Sequence, residues 1–202
     1  MKDKDLFVIA IGASAGGTTP LFDFFSNIPA CPGVAFVIIR HLDRNYKSQM
    51  KSLLSRHTHL PIHTIKGGQA INPDSIYLMP ENTKVYIQRH RFFLEGRKMD
   101  EIVNYAIDDF FISLAIDFKE KAVGIILSGM GTDGTKGATA IEKAGGTIMV
   151  QHPESAKYRG MPDSAIYHDH PDYILSPAEM GKNLLEYINK GSTPHRKNPE
   201  LS

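Results

Sequence analysis

Residues 6–17 read LFVIAIGASAGG, and this stretch decides how the rest of the chain is interpreted. Residues 6–12 form an apolar run that is typical of a β-strand buried on both faces of a parallel sheet. The small residues that follow permit a tight turn and a close backbone approach, because glycine carries no Cβ atom. A helix pattern then begins at residues 18–20, where threonine is the expected N-cap and proline suits the first turn. The stretch therefore predicts a strand, a glycine-rich turn and a helix in direct succession.

The composition of the 202-residue chain limits the classes of protein to which it can belong. A formal net charge of +1 and the absence of a dense basic run argue against a nucleic-acid partner. No apolar stretch approaches the ~18 residues of a membrane-spanning helix, so we expect no membrane insertion. The single cysteine, Cys31, excludes an internal disulfide and fits a reducing compartment. We therefore expect a cytoplasmic protein.

Apolar strand patterns alternate with helix patterns along the chain. Buried strands are predicted at 6–12, 34–39, 122–127 and 147–151, short strands at 61–65 and 173–175, and helices at 20–27, 47–56, 106–118, 136–144 and 177–188. Segments 75–79, 84–88 and 91–94 predict an antiparallel ribbon, and 152–165 a long loop. This order predicts an α/β fold: a doubly wound, mostly parallel sheet with a β-hairpin and with helices on both faces. We assign residues 1–188 to one folded domain and 189–202 to a polar flexible tail or linker.

Three side chains of catalytic type follow buried strands at their carboxyl ends. Ser14 follows the first strand, His41 the second, and Asp133 lies in the loop after the strand at 122–127. Because ligands of parallel sheets bind beyond the carboxyl ends of the strands, we expect the three to share one edge. They are the residue types of a nucleophilic hydrolase triad, in which histidine takes the serine proton and aspartate orients the histidine. The backbone N–H groups of Ala15 and Met130 are the predicted oxyanion-hole donors.

Each of these residues also has an interpretation without catalysis. Ser14 would cap a helix or line a phosphate-binding loop, His41 would be a satisfied polar residue at a strand end, and Asp133 would be the N-cap of the next helix. Residues 12–16 satisfy the G-x-S-x-G motif, but this short pattern also arises by chance. The chain order Ser, His, Asp differs from the Ser, Asp, His order of the α/β-hydrolases. We therefore expect a different kind of hydrolase.

Cofactor and metal sites are not indicated. The histidines at 57, 59 and 63 have no cysteine or carboxylate at ligand spacing, so no metal is expected. A nucleotide-binding domain is the second interpretation of the glycine-rich loop, with Arg40 and Arg44 available for a phosphate. Against it, GASAGG is not G-x-G-x-x-G, and no acidic ribose ligand follows the second strand. We expect no cofactor, and we place Arg44 and Arg159 at the rim of the site as ligands of acidic substrate groups.

Four segments together resemble one protein family. IGASAGG at 11–17, RH at 40–41, SGMGTDGTKG at 128–137 and GMPDSAI at 160–166 are similar to the catalytic domain of the CheB-type chemotaxis protein-glutamate methylesterases. The resemblance extends from about residue 6 to residue 188. It implies a doubly wound sheet with a hairpin, and it places the family's nucleophile, histidine and aspartate at Ser14, His41 and Asp133. It implies hydrolysis of glutamyl methyl esters, and deamidation of glutamines, on the cytoplasmic region of methyl-accepting chemoreceptors.

Two features depart from that family's pattern. The family's two-component members carry an N-terminal receiver domain, whereas the first strand here begins at Leu6, so we expect no phospho-regulation within this chain. Many members have RPSVD before the long helix, where this chain has YAIDDF at 105–110. That variant resembles fusion proteins in which the methylesterase domain precedes a CheR-type methyltransferase, so a fused or associated methyltransferase is an expected partner. A non-catalytic docking module of a chemotaxis-like protein is the alternative function.

Overall fold

The structure, a computed structural model, describes residues 6–41, 49–97, 105–168 and 171–190. Its strands are β1 Phe7–Ala13, β2 Val34–Arg40, β3 Ile62–Thr64, β4 Ser75–Leu78, β5 Thr83–Gln88, β6 Arg91–Gly96, β7 Ala122–Ile126, β8 Thr147–Gln151 and β9 Tyr173–Leu175. Its helices are α1 Thr18–Ser26, α2 Met50–Leu54, α3 Ala106–Phe118, α4 Thr135–Lys143, α5 Gly160–His168, α6 Pro177–Lys182 and α7 Leu184–Lys190. Strands and helices alternate through most of these residues, as the sequence pattern predicts.

Seven of the strands form one parallel sheet in the order β3-β4-β2-β1-β7-β8-β9. Strand β1 is central, and its Ile11 pairs with Ile38 of β2 on one side and with Ile125 of β7 on the other. The β1 side chains after Phe7 are all buried, which is why the strand reads as an uninterrupted apolar run. The α/β fold with a parallel sheet is therefore confirmed.

A hydrophobic layer covers each face of the sheet, because successive side chains of a strand point to opposite sides. Val8 and Ala10 of β1 pack with α3, α4, α5 and the β5–β6 hairpin on one face. Ile9 and Ile11 pack with α1, α2, α6 and α7 on the other. Full burial of an aliphatic side chain contributes about 1.5–3 kcal/mol, so these two layers hold the sheet and helices together. The predicted helices on both faces are confirmed.

The antiparallel ribbon is smaller than the sequence predicts. Strands β5 and β6 pair antiparallel, but Ser75–Leu78, which we assigned to the same ribbon, pairs in parallel with β2 and β3. All four of its side chains are buried. A short apolar run bounded by turns fits a fully buried sheet strand as well as a hairpin strand, and its neighbours in space decide between the two.

Three local expectations are wrong. Residues 152–165 are not one loop, because α5 begins at Gly160; Pro162 is accommodated in the first turn, where helix N–H groups have no partner. The helix expected at 177–188 is two helices, α6 and α7, of which α7 ends at Lys190. The division into a domain at 1–188 and a tail at 189–202 stays a prediction, because residues 191–202 lie outside the described part. The N-cap of α1 is Gly17, without a side-chain cap, and not a threonine.

A glycine contact between α1 and α6 gives a test of this packing. A Cβ atom at Gly181 would lie 2.4 Å from the carbonyl oxygen of Phe24, whereas one at Gly67 would meet nothing within 4 Å. We expect Gly181→Ala to lower the free energy of unfolding by about 1–3 kcal/mol through overpacking, and Gly67→Ala to leave it within about 0.5 kcal/mol. Urea unfolding followed by circular dichroism measures both. Equal stability of the two variants would contradict the described docking of α6 on α1.

Candidate active site

Three side chains from neighbouring strands form one hydrogen-bonded series at the carboxyl edge of the sheet. Ser14 follows β1, His41 follows β2, and Asp133 lies in the loop between β7 and α4. The Oγ atom of Ser14 lies 3.1 Å from Nδ1 of His41, and Nε2 of His41 lies 2.6 Å from Oδ2 of Asp133. The structure therefore brings together the three residues that the sequence places at this edge.

The two ring nitrogens of His41 have different partners, and this assigns the imidazole proton. An ionised carboxylate can only accept a hydrogen bond, so Nε2 carries the imidazole proton and donates a hydrogen bond to Asp133. Nδ1 is then free to accept a hydrogen bond from the Ser14 hydroxyl. In the chymotrypsin triad the two nitrogens have the opposite roles. The imidazole here is in the tautomer that can take a proton from serine.

The series runs from a partly exposed imidazole to a buried carboxylate. The side chain of His41 is 25% exposed and that of Asp133 is 4% exposed. The Asp133 carboxylate accepts backbone N–H bonds from Ile107 at 3.0 Å and from Asp108 at 2.9 Å, both in the first turn of α3. A helix N-terminus favours negative charge. Asp133 therefore caps α3 and not the helix that follows it, whose N-cap is Gly134.

The turn that carries Ser14 is fixed by the loop after β7 and by the segment before α5. The N–H of Ser14 donates to the carbonyl of Ser128 at 3.0 Å. Gly16 has φ +72°, and a Cβ atom there would lie 2.9 Å from side-chain atoms of Lys157, Ser128 and Tyr158. Glycine is therefore required at this position by both the backbone conformation and the packing.

Two buried polar residues behind the turn were not selected from the sequence. Ser128 Oγ donates to the carbonyl of Ala15 at 2.9 Å and accepts from the N–H of Tyr158 at 3.0 Å. Gln151, at the end of β8, accepts from the N–H of Ser128 at 2.8 Å and donates to the carbonyl of Ser155 at 3.0 Å. A buried polar group left unpaired costs about 1–3 kcal/mol. The position of Gln151 at the carboxyl end of a buried strand was the available sequence signal.

The predicted oxyanion donors belong to two segments that meet at the serine. Ala15 follows Ser14 in the chain, and Met130 follows Gly129, where a Cβ atom would lie 3.0 Å from the Cβ of Ser14. Within the described residues, the N–H groups of Ala15 and Met130 donate to no protein acceptor. Unpaired donors next to a serine hydroxyl fit an oxyanion hole, and this role of the two residues stays a prediction.

Of the arginines selected from the sequence, the structure describes Arg40 and Arg159. Arg159 precedes α5, is 58% exposed and pairs with Asp163 at 3.4 Å. Arg44 lies outside the described residues. Arg40 is the last residue of β2, and its Nη2 donates to Thr18 Oγ1 at 3.1 Å. Its buried Nε has no hydrogen-bond partner among the residues that the structure describes. Burial lowers the pKa of Arg40. Substrate binding by Arg44 and Arg159 stays a prediction.

The histidines near residue 60 have contacts unrelated to metal binding. The ring of His57 stacks on Phe22 with 4.3 Å between centroids, and its Nδ1 lies 2.9 Å from Ser26 Oγ. Among the residues that the structure describes, no three histidine, cysteine or acidic side chains are grouped as metal ligands. In the same residues no helix has the length and apolar character needed to cross a bilayer.

Comparison with known proteins assigns the chain to a family. Residues 9–184 match the model of the CheB methylesterase family. The chain belongs to that family. The crystal structure of the Thermotoga maritima CheB methylesterase catalytic domain is similar, with a TM-score of 0.79 and 28% identity, over 90% of this chain and 98% of that one.

Sequence relatives are longer than this chain. The protein-glutamate methylesterase/protein-glutamine glutaminase of Thermotoga maritima is 29% identical in an alignment of 192 residues that covers 90% of this chain and 54% of that protein. An uncharacterized 104.1 kDa protein in the hypE 3'region of Rhodobacter capsulatus is 35% identical over 139 residues, which are 69% of this chain and 14% of that protein. The chain thus spans about half the length of the methylesterase it matches. A fused methyltransferase stays a prediction.

The buried network behind the serine turn can be tested by stability. We expect Ser128→Ala to lower the free energy of unfolding by about 1–3 kcal/mol, because the N–H of Tyr158 and the carbonyl of Ala15 lose their partner. Ser55→Ala removes an exposed hydroxyl that donates to the Ser52 carbonyl, and its effect should stay within about 0.5 kcal/mol. Thermal unfolding measures both. A Ser128→Ala protein as stable as the Ser55→Ala control would show that the network does not hold the turn.

Proposed function

We propose that this chain is the catalytic domain of a protein-glutamate methylesterase that hydrolyses glutamyl methyl esters on chemoreceptors. The observation that carries the proposal is the hydrogen-bonded series of Ser14, His41 and Asp133, present in a member of the CheB methylesterase family. Relatives are named protein-glutamate methylesterase/protein-glutamine glutaminase, so deamidation of receptor glutamines is part of the proposal. The reaction takes place in the cytoplasm, on the cytoplasmic region of the receptor.

The first half of the proposed reaction forms an acyl-enzyme. Ser14 Oγ attacks the ester carbonyl carbon as its proton passes to Nδ1 of His41. Asp133, hydrogen-bonded to Nε2, stabilises the imidazolium that forms. The N–H groups of Ala15 and Met130 bind the oxyanion of the tetrahedral intermediate. The intermediate collapses as Nδ1 returns the proton to the departing methoxide, and methanol leaves.

The second half regenerates the serine. A water molecule gives a proton to Nδ1 of His41 while its oxygen attacks the acyl carbon. The second tetrahedral intermediate expels Ser14 Oγ, which takes the proton back from Nδ1. The products are free Ser14 and a receptor carboxyl group, which releases its proton to solvent and becomes a glutamate side chain. A glutamine substrate follows the same steps, with ammonia as the leaving group in place of methanol.

Exposure at the edge of the site suits a substrate carried on another protein. His41 is partly exposed, and the side chains of Met130 and Arg159, in the loops after β7 and before α5, are 61% and 58% exposed. A side chain on a receptor helix can approach such an edge without entering a deep pocket. We propose that Arg44 and Arg159 bind acidic receptor residues around the methylated glutamate, because guanidinium groups bind carboxylates in a fork geometry.

Replacement of the nucleophile tests the proposed activity directly. Ser14→Ala should lower kcat for methanol release from a methylated receptor fragment by a factor of about 10⁴ or more, since no covalent intermediate can form. The Ser14 hydroxyl lies in the turn after β1 and is outside the hydrophobic core, so the free energy of unfolding should change by less than about 1 kcal/mol. Substantial methanol release by Ser14→Ala would dismiss the nucleophile assignment. A folded wild-type chain that binds the receptor fragment without hydrolysing it would favour the docking-module alternative.

Regulation and salt dependence give a second test. We expect the isolated 202-residue chain to release methanol without a phosphoryl donor, because the triad hydrogen bonds are already formed.

The salt dependence of the reaction tests the substrate-binding role of Arg159. KM should rise several-fold from about 0.05 M to 0.5 M salt with little change in kcat, because salt screens the charges at the rim of the site. Arg159→Gln should weaken this salt dependence, whereas Arg56→Gln, on the exposed turn after α2, should preserve it. Equal salt dependence in both variants would remove Arg159 from the substrate-binding surface.

A further inference from the structure

A second buried aspartate lies with Asp133 where helices α3 and α4 begin. Asp108, in the first turn of α3, is 4% exposed. Its Oδ1 accepts from the N–H of Gly134 at 3.0 Å and from the N–H of Gly137 at 2.8 Å. These N–H groups belong to the start of α4, immediately after Asp133 in the chain. The proposed reaction mechanism leaves Asp108 without a role.

The two aspartates cap each other's helices. The N-caps of α3 and α4 are Tyr105 and Gly134, and neither makes a side-chain capping hydrogen bond. Asp133 supplies the missing acceptor for α3, and Asp108 supplies it for α4. Gly134, the residue after Asp133, has φ +97°, a backbone conformation that residues other than glycine rarely adopt. The bond from Gly134 N–H to Asp108 therefore fixes the residue next to Asp133.

This arrangement is costly for two carboxylates. Burial raises the pKa of Asp108, and the nearby charge of Asp133 raises it further, whereas the N–H groups of Gly137 and Gly134 act in the opposite direction. A neutral serine or asparagine cap would hold the start of α4 without this repulsion. The exchange of caps between the two helices fixes the position of Asp133. This position matters because Oδ2 of Asp133 accepts hydrogen bonds from both the N–H of Ile107 and Nε2 of His41.

We propose that Asp108 is a positioning residue for the esterase reaction: through the N–H groups of Gly134 and Gly137 it holds the loop that presents Asp133 to His41. The inference rests on the proposed function of the triad. It extends the site from three side chains to a fourth that touches neither substrate nor imidazole. A misplacement of about 1 Å in a catalytic group costs up to about 10²-fold in rate, so a loosened loop is sufficient to impair turnover.

Variants at Asp108 separate positioning from general stability. Asp108→Asn keeps an oxygen acceptor for both N–H groups and should retain kcat within about threefold, whereas Asp108→Ala should lower kcat by about 10- to 100-fold with KM within about twofold. Asp172→Ala is the control for loss of a carboxylate that accepts a backbone N–H: the exposed Asp172 accepts from Ile148 at 2.8 Å, at the amino ends of β8 and β9. Its kcat should equal that of the wild type. Asp108→Ala with normal kcat, or an equal loss in Asp172→Ala, would overturn the proposal.

A measurement without substrate distinguishes failure of this inference from failure of the proposed function. In proton NMR spectra, the Nε2 proton of His41, which is hydrogen-bonded to Asp133, should give a downfield resonance in the wild type, in Asp108→Asn and in Asp172→Ala. This resonance should be absent from the spectrum of Asp108→Ala. Persistence of that resonance in Asp108→Ala overturns the positioning role even where no ester is hydrolysed. Where Asp108→Ala does not fold, Asp108→Glu takes its place, because it displaces the acceptor by one methylene while keeping the charge; an unchanged resonance and kcat in that variant also overturn the role.

Discussion

The backbone hydrogen bonds that hold β1 between β2 and β7 determine where every group of the site can lie. In register, Ala13 at the end of β1 pairs with Arg40 at the end of β2, so the next residues, Ser14 and His41, leave the sheet side by side. The loop after β7 leaves the same edge on the other side of β1 and carries Asp133. Because all three strands are parallel, a single edge of the sheet receives all three side chains.

Close packing on one face completes this geometry. A Cβ atom at Gly12 would lie 2.5 Å from Cγ2 of Ile107, so the start of α3 rests directly on the central strand. That contact brings the N–H groups of Ile107 and Asp108 within reach of Asp133. Gly12, the first glycine of the G-x-S-x-G pattern, therefore serves the approach of a helix, whereas Gly16 serves the turn itself. The motif was informative here for reasons other than those that define a nucleophile elbow.

Local pattern was sufficient for most of the fold and for placing Ser14, His41 and Asp133 at one edge of the sheet. The buried strands are continuous apolar runs, and the residues after them could be read directly at a common edge. The pattern could not assign the partners of Ser75–Leu78, since pairing depends on residues distant in the chain. The same limit applies to Asp108 and Ser128, whose contacts join segments more than 20 residues apart through backbone groups that no side-chain pattern marks.

The exchange of caps between α3 and α4 also ties together the folding of this part of the chain. The first turn of an α-helix leaves its N–H groups without internal partners, and a helix without tertiary support is marginal in water. Each of these helices receives its acceptor from the start of the other, with strand β7 between them in sequence. Local opening of one N-terminus therefore exposes the other. We therefore expect helix α3, strand β7 and helix α4 to open as one cooperative unit, with the amide protons of Asp108 and Gly137 reaching solvent through a shared opening.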